Sequence, residues 1–288
     1  MKKIGFIGLG YLGKTIAGRL ISQGEELVIW NRTIEKGRGM AAELADCPKQ
    51  VAQRSNVIFL NLFDSVAVRA VLTSDGGLLD GDIAGKLVID TTTNHFSDVL
   101  GFHELCSKKG CRYLEAPVLG SVVPASQGNL VILVSGEAAA YETARPYLEK
   151  IGKTIFYLRE PALASRMKLV NNLVLGTFMA VIAEATVLGE RSGAAKETVL
   201  DILSAGAGNS GVMNAKKERI LNEDFSTHFS AALIYKDLHY LQDLARTLRM
   251  PLFTGAVTKE IFALTFKDNK EPLDMSVVYE VMKTGYGS

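Results

Sequence analysis

The sequence predicts an α/β amino-terminal half followed by an all-helical carboxy-terminal half, and three observations carry that prediction. Strand-length apolar runs alternate with helix-period segments through about residue 160. Long helical stretches replace them after Pro161, and the glycines divide in the same way, 18 of 27 falling in residues 1–160. Strand and helix in alternation imply crossover connections, hence a parallel sheet with helices on both faces. The expected domains are residues 1–160 and 161–288, joined by a long interdomain helix. With 288 residues, 48% apolar and 22% charged, the chain is long enough for both.

The strands are read in order from "KIGFIG", "ELVIW", "VIFLNL", "KLVIDT" and "NLVILVSG", each bounded mostly by Gly, Asp or Asn. Between them, "LGKTIAGRLISQG" and "FSDVLGFHELCSKKG" place apolar residues three and four apart, the spacing of amphipathic helices. Beyond Pro161 the helical stretches are "ASRMKLVNNLVLGTFMAVIAEATVLGERSG", "HFSAALIYKDLHYLQDLARTLRM" and "TGAVTKEIFALTFK". The segment Leu169 to Gly189 is long enough to span a bilayer, yet Asn171, Asn172 and Glu184 are costly in lipid. A helix buried in protein is expected there, and no membrane partner. The opening "MKKIGFIGLG" resembles a secretory signal, but its apolar run is short and is broken by glycine and Lys14.

Lys plus Arg is 32 and Asp plus Glu is 31, a formal net charge of +1. That balance argues against a broad basic surface for nucleic acid or anionic membrane. Cys47, Cys106 and Cys111 form neither a disulfide framework nor a CxxC pair, so a reducing, cytoplasmic setting without structural zinc is expected. His95, His103, His228 and His239 show no metal-ligand spacing, and no metal is expected. Ser210 has no base partner visible in sequence, so a hydrolase triad is not supported.

The first strand runs into Gly8-Leu9-Gly10-Tyr11-Leu12-Gly13 and then an amphipathic helix. Gly8 permits the tight turn, Gly10 lets backbone approach a pyrophosphate, and Gly13 lets helix pack on strand, which leaves helix amides facing phosphate. Strand, glycines, helix and second strand in this order form a Rossmann dinucleotide-binding unit. An acidic residue at the end of the second strand would accept bonds from the ribose 2′-hydroxyl; here stand Asn31, Arg32 and Thr33, with Lys36 a turn later. Neutral Asn31 does not repel a 2′-phosphate and Arg32 can grip it, so NADP is the expected cofactor.

Lys168 and Asn172 lie four residues apart in "SRMKLVNNLVLG" and share one helix face, with Asn171 beside them. Partial burial would lower the lysine pKa and suit it to proton transfer. The arrangement reads as a general acid with Asn172 hydrogen-bonding the substrate.

With these residues the sequence resembles the β-hydroxyacid dehydrogenases, most of all the glyoxylate/succinic semialdehyde reductase branch. The resemblance covers nearly the whole chain, through "GFIGLGYLG", "DTTT" at Asp90 to Thr93, "EAPVLGSVVPASQGNL" at Glu115 to Leu130, "RMKLVNN" at Arg166 to Asn172 and "KDL" at Lys236 to Leu238. It implies catalytic Lys168, with Leu62, Phe63, Thr93 and Lys236 along the cofactor. Gly120 and Ser121, with Asn172, would hold a small-molecule carboxylate. Phe229 would close over the nicotinamide side and Asp237 would orient neighbouring groups. The sequence departs from many relatives at Leu119-Gly120-Ser121, where they read Ser-Gly-Gly, and at "EPALASRMK", where they carry glycines. The implied reaction is reversible reduction of small aldehyde or keto acids by NADPH. An imine reductase and a non-catalytic NADP-binding protein are the alternatives, and the long apolar helix leads to an expected homo-oligomer, dimer or tetramer.

Overall fold

In the computed structural model the described residues are 3–285. They divide into two compact units: the first ends at Lys168, and the second begins at Leu169.

The first unit runs β1 (Lys3–Ile7), α1 (Tyr11–Ser22), β2 (Leu27–Trp30), β3 (Glu43–Leu44), α2 (Pro48–Arg54), β4 (Ser55–Leu60), α3 (Ser65–Thr73), β5 (Leu87–Asp90) and α4 (Phe96–Lys108). It continues with β6 (Arg112–Glu115), β7 (Val118–Leu119), α5 (Val122–Gln127), β8 (Leu130–Ser135), α6 (Ala138–Ile151) and β9 (Gly152–Arg159), and α7 (Leu163–Arg191) leads out of it. The strands form one nine-stranded sheet in the order β3-β2-β1-β4-β5-β6-β8-β7, with β9 on β8. The run from β3 to β6 is parallel and has the strand order of a dinucleotide-binding sheet.

All five apolar runs read as strands are strands. The sheet is not wholly parallel, however: β8 pairs antiparallel with both β6 and β7. The short β7 and the turn into α5 reverse the chain without a crossover helix, and antiparallel pairing needs none. Period-2 alternation gives the sheet two buried faces. Phe6 and Phe59 stack with ring centroids 6.0 Å apart on one, over Ile16 and Leu20 of α1. Ile7, Ile58 and Phe102 belong to the other.

The second unit takes α7 from Leu169 onward, then α8 (Lys196–Ala205), α9 (Gly211–Leu221), α10 (Ala231–Thr247), α11 (Phe253–Lys267) and α12 (Val278–Gly285). Leu163–Arg191 is long and apolar enough to cross a membrane, but Asn172 and Thr186 on it are fully buried and hydrogen-bonded within the unit. Small residues admit its neighbours. A Cβ on Gly255 would lie 2.8 Å from Leu173, and Thr177 meets Thr258 with hydroxyls 3.2 Å apart.

The segments between these helices converge on Asp274, which is wholly buried. Its carboxylate takes Nζ of Lys216 at 2.7 and 2.9 Å, the backbone N–H groups of His228, Phe229 and Ser276, and the Ser276 hydroxyl at 2.8 Å. Burial pushes its pKa up, but the Lys216 ammonium and the donated bonds outweigh that and hold it below its ordinary value. Asp274 therefore stabilises the fold above the normal aspartate range and ceases to as pH falls through its lowered value. Asp274→Ala leaves the Lys216 ammonium buried and unpaired, with an expected loss of about 3–5 kcal/mol in urea unfolding followed by helical circular dichroism.

Candidate active site

In the first unit the candidate cofactor residues lie beyond the carboxy-terminal ends of the parallel strands β1, β2, β4 and β5. Gly8 N–H donates to Trp30 C=O at 3.0 Å, and Asn61 N–H to Ile7 C=O at 2.9 Å, so the β1 turn is held between the ends of β2 and β4. Gly8 adopts φ +102°, and a Cβ there would lie 2.1 Å from Asn61 O. A Cβ on Gly13 would lie 2.1 Å from Gly8 O. Both glycines are demanded by the fold itself. Gly10 differs: a Cβ there would meet nothing within 4 Å, so the space in front of it is open for a ligand. Gly10 precedes α1 without a side-chain cap, leaving first-turn amides directed at that space. These features fit a dinucleotide pyrophosphate.

The neighbouring strand ends are stitched to this turn. Asn61 Nδ2 donates to Thr91 Oγ1 at 2.9 Å, and Leu62 N–H to Thr92 Oγ1 at 2.9 Å. These bonds fix the backbone of Leu62 and Phe63, whose ring is 51% exposed, and the start of the loop to Thr93. Below them Asp90, fully buried, accepts from Tyr113 OH at 2.6 Å, Asn94 Nδ2 at 2.8 Å and Thr92 N–H at 2.9 Å. Burial raises the Asp90 pKa against the pull of these donors.

Asn31 serves the turn rather than facing a ligand with both ends of its amide. Leu9 N–H donates to Asn31 Oδ1 at 2.9 Å, and Asn31 Nδ2 donates to Thr33 C=O at 2.8 Å. Its position follows from the strand end, and its neutral amide makes possible a bond network that a carboxylate would not donate into. Arg32, Thr33 and Lys36 stand exposed just beyond. Gly120 adopts φ +115° at the turn after β7, where Leu130 and Pro124 crowd a Cβ, and Ser121 opens α5. Lys168, the last residue of this unit, is buried.

In the second unit Asn172 is fully buried, and its amide orientation is set by two neighbours. Its Nδ2 donates to Asp237 Oδ2 at 2.6 Å, and its Oδ1 accepts from Asn171 Nδ2 at 3.1 Å. Lys236 Nζ lies 2.9 Å from Asp237 Oδ1, in ion-pair contact rather than as an aligned donor, and 4.9 Å over the Tyr240 ring. Asp237 thus ties two candidate residues, Asn172 and Lys236, into one cluster. Phe229 is held by its N–H on Asp274.

Sequence reading did not single out Asn61, Thr91 and Thr92, although each stands where an apolar strand ends in a polar residue. It also gave Glu115 no role of its own. No local signal marks it, since its donors come from Ala162 and Ser165 far along the chain.

An open phosphate cradle on a sheet of this strand order defines a dinucleotide-binding protein. Comparison with known proteins agrees. Residues 3–158 match the family model for the NAD binding domain of 6-phosphogluconate dehydrogenase, and residues 163–282 match that for the NAD-binding domain of NADP-dependent 3-hydroxyisobutyrate dehydrogenase. The chain belongs to the β-hydroxyacid dehydrogenase family. Glyoxylate/succinic semialdehyde reductase 1 of Arabidopsis thaliana is 30% identical over 284 residues, 98% of each chain. Cytokine-like nuclear factor N-PAC of Mus musculus is 34% identical over 278 residues, 96% of this chain and 50% of that protein, so the chain spans about half the length of such relatives. A solved structure, Psf3 in complex with NADP+ and 2-OPP, has a TM-score of 0.89 at 28% identity, covering 97% of this chain and 99% of that one.

The glycines separate folding from ligand binding. Gly10→Ala is expected to keep the melting temperature within about 2 °C while weakening NADPH binding at least tenfold. Gly13→Ala is expected to cost about 1–3 kcal/mol of stability through the forced contact with Gly8 O, measured by thermal and urea unfolding.

Proposed function

We propose that this chain is an NADPH-dependent reductase of small aldehyde or keto acids, glyoxylate and succinic semialdehyde among them, working reversibly as a β-hydroxyacid dehydrogenase. The observation that carries the reading is a buried lysine, Lys168, on the same continuous helix as Asn172, whose amide is held in one orientation by Asp237. Bound NADPH supplies the hydride that reaches the substrate carbonyl carbon. Lys168 gives a proton to the carbonyl oxygen in reduction and takes it back in oxidation. Asn172 offers its remaining N–H to the substrate, and Gly120 with Ser121 receives the carboxylate. Leu62, Phe63 and Thr93 line the cofactor, with Lys236 as a further cofactor contact.

The preference for NADP rests on Arg32, an exposed guanidinium immediately after β2 with Lys36 nearby, at a strand end that carries no acidic side chain. A match to a model of an NADP-dependent dehydrogenase supports it. The same reading includes a homo-oligomer. On α7, Val170, Val174, Phe178, Val181 and Leu188 are 40–65% exposed at helical spacing, and Phe253 and Val257 of α11 are 80% and 62% exposed. A second copy of the chain covers such a stripe without any new kind of partner.

Three measurements test these statements. Lys168→Ala is expected to bind NADPH with unchanged affinity and to lose turnover about 10²–10⁴-fold toward glyoxylate and succinic semialdehyde. Near-normal turnover would remove the lysine from the reaction, and NADPH binding by the natural chain without turnover on any acid or imine would instead indicate a binding module. Arg32→Ala is expected to raise the Kd for NADPH about tenfold while leaving that for NADH within twofold. Light scattering should give at least a dimer, and V174D/F178D together should give the monomer mass.

A further inference from the structure

Glu115 ends β6 and is 1% exposed. Its register partner on the antiparallel β8 is Ser135. These two adjacent side chains receive the amino-terminal amides of α7. Glu115 Oε1 accepts from Ala162 N–H, Glu115 Oε2 accepts from Ser165 N–H at 3.0 Å and from the Ser165 hydroxyl, and Ser135 Oγ accepts from Ala164 N–H at 3.0 Å.

Helices commonly take their cap from the residue just before the first turn. Here that neighbourhood holds Pro161 and Ala162, which have no side-chain acceptor, and Ala162 turns the chain at φ +67°, a conformation unusual for a residue with a Cβ. The cap comes instead from 47 residues earlier in sequence. The difference has a mechanical consequence. A local cap satisfies amides but leaves the helix free to rotate against its surroundings. A cap built into the central sheet fixes where the helix begins and how it is rotated about its axis. Ser165, which gives Glu115 two bonds, lies three residues before Lys168 and therefore on a neighbouring face one turn away.

We infer that Glu115 is a positioning residue for the proposed reaction, fixing the start and rotation of α7 and through them the placement of the Lys168 ammonium. The inference rests on the assignment of Lys168 as the proton donor. The electrostatics are consistent with a group held under tension between burial and bonding. Burial pushes the Glu115 pKa up to about 7, with buried Asp90 adding to the rise, while the Ser165 and Ala162 donors pull it down. Both carboxylate oxygens are used as acceptors, so an amide cannot replace the group: one end of a glutamine would point N–H at N–H.

The test compares Glu115→Gln, Ser165→Ala and Lys168→Ala in the full chain, each measured per NADPH-binding site so that any unfolded fraction drops out. Glu115→Gln is expected to lower kcat about tenfold or more with NADPH Kd within twofold, since small misplacements of a reacting group carry large rate penalties. It is also expected to move the pH-rate limb that disappears in Lys168→Ala, a readout that a purely structural contact would leave in place. Ser165→Ala removes one bond of the same cap and covers the case in which Glu115→Gln does not fold; about a threefold fall in kcat with the same displacement of the limb is expected. Unchanged kcat and unchanged limb in either folded variant would overturn the positioning role, with Lys168 still catalytic if its alanine variant is inactive. Full turnover by Lys168→Ala would overturn the underlying assignment and the inference with it.

Discussion

Parallel in-register pairing of β1 with β2 on one side and β4 on the other is the constraint from which the rest of the first unit follows. Ile7 lies opposite Trp30 and Leu60, so the strands finish at one level and their following loops emerge side by side. Parallel strands cannot exchange a hairpin there, and the loop backbone needs other partners. The Gly8 amide reaches Trp30, the Asn61 amide reaches Ile7, and the threonines after β5 receive what remains. A ledge fixed this tightly offers outward-facing amides at almost no ordering cost on ligand binding.

Legibility in the sequence tracked how local the physics was. β1, β2, β4, β5 and β8 were readable because each is an apolar run buried on both faces, and a continuous run needs no knowledge of its neighbours. β3, β6, β7 and β9 were not read as strands. β3 and β7 have two residues each, and β9 begins Gly-Lys-Thr and exposes much of its length at the sheet margin, so none of these three carries a core signature. Only pairing with β2 or β8 makes strands of them. The long helix after Pro161 was legible from its period, and its interior Asn172 is buried against Asp237.

The site divides along the same line. Glycine positions, Lys168 and Asn172 stood out because the roles proposed for them depend on spacing within one element. The role of Asn31 did not, since binding Leu9 and Thr33 requires knowing how the β1 turn sits beside the end of β2. Glu115 and Asp274 were invisible for a stronger reason. Each collects donors from segments tens of residues away, and nothing in their own neighbourhoods distinguishes them from surface acids.

The Asp274 hub also bears on the order in which the molecule can be assembled. Lys216 meets its counter-charge only after 58 further residues have been made, and the loop carrying His228 and Phe229 waits for the same carboxylate. Until the segment around residue 276 leaves the ribosome, α9 holds an ammonium that water serves better than the protein interior. The helical unit therefore has little to gain from closing early. Its contacts of long sequence separation place its consolidation last, after a sheet whose consecutive parallel strands have already emerged.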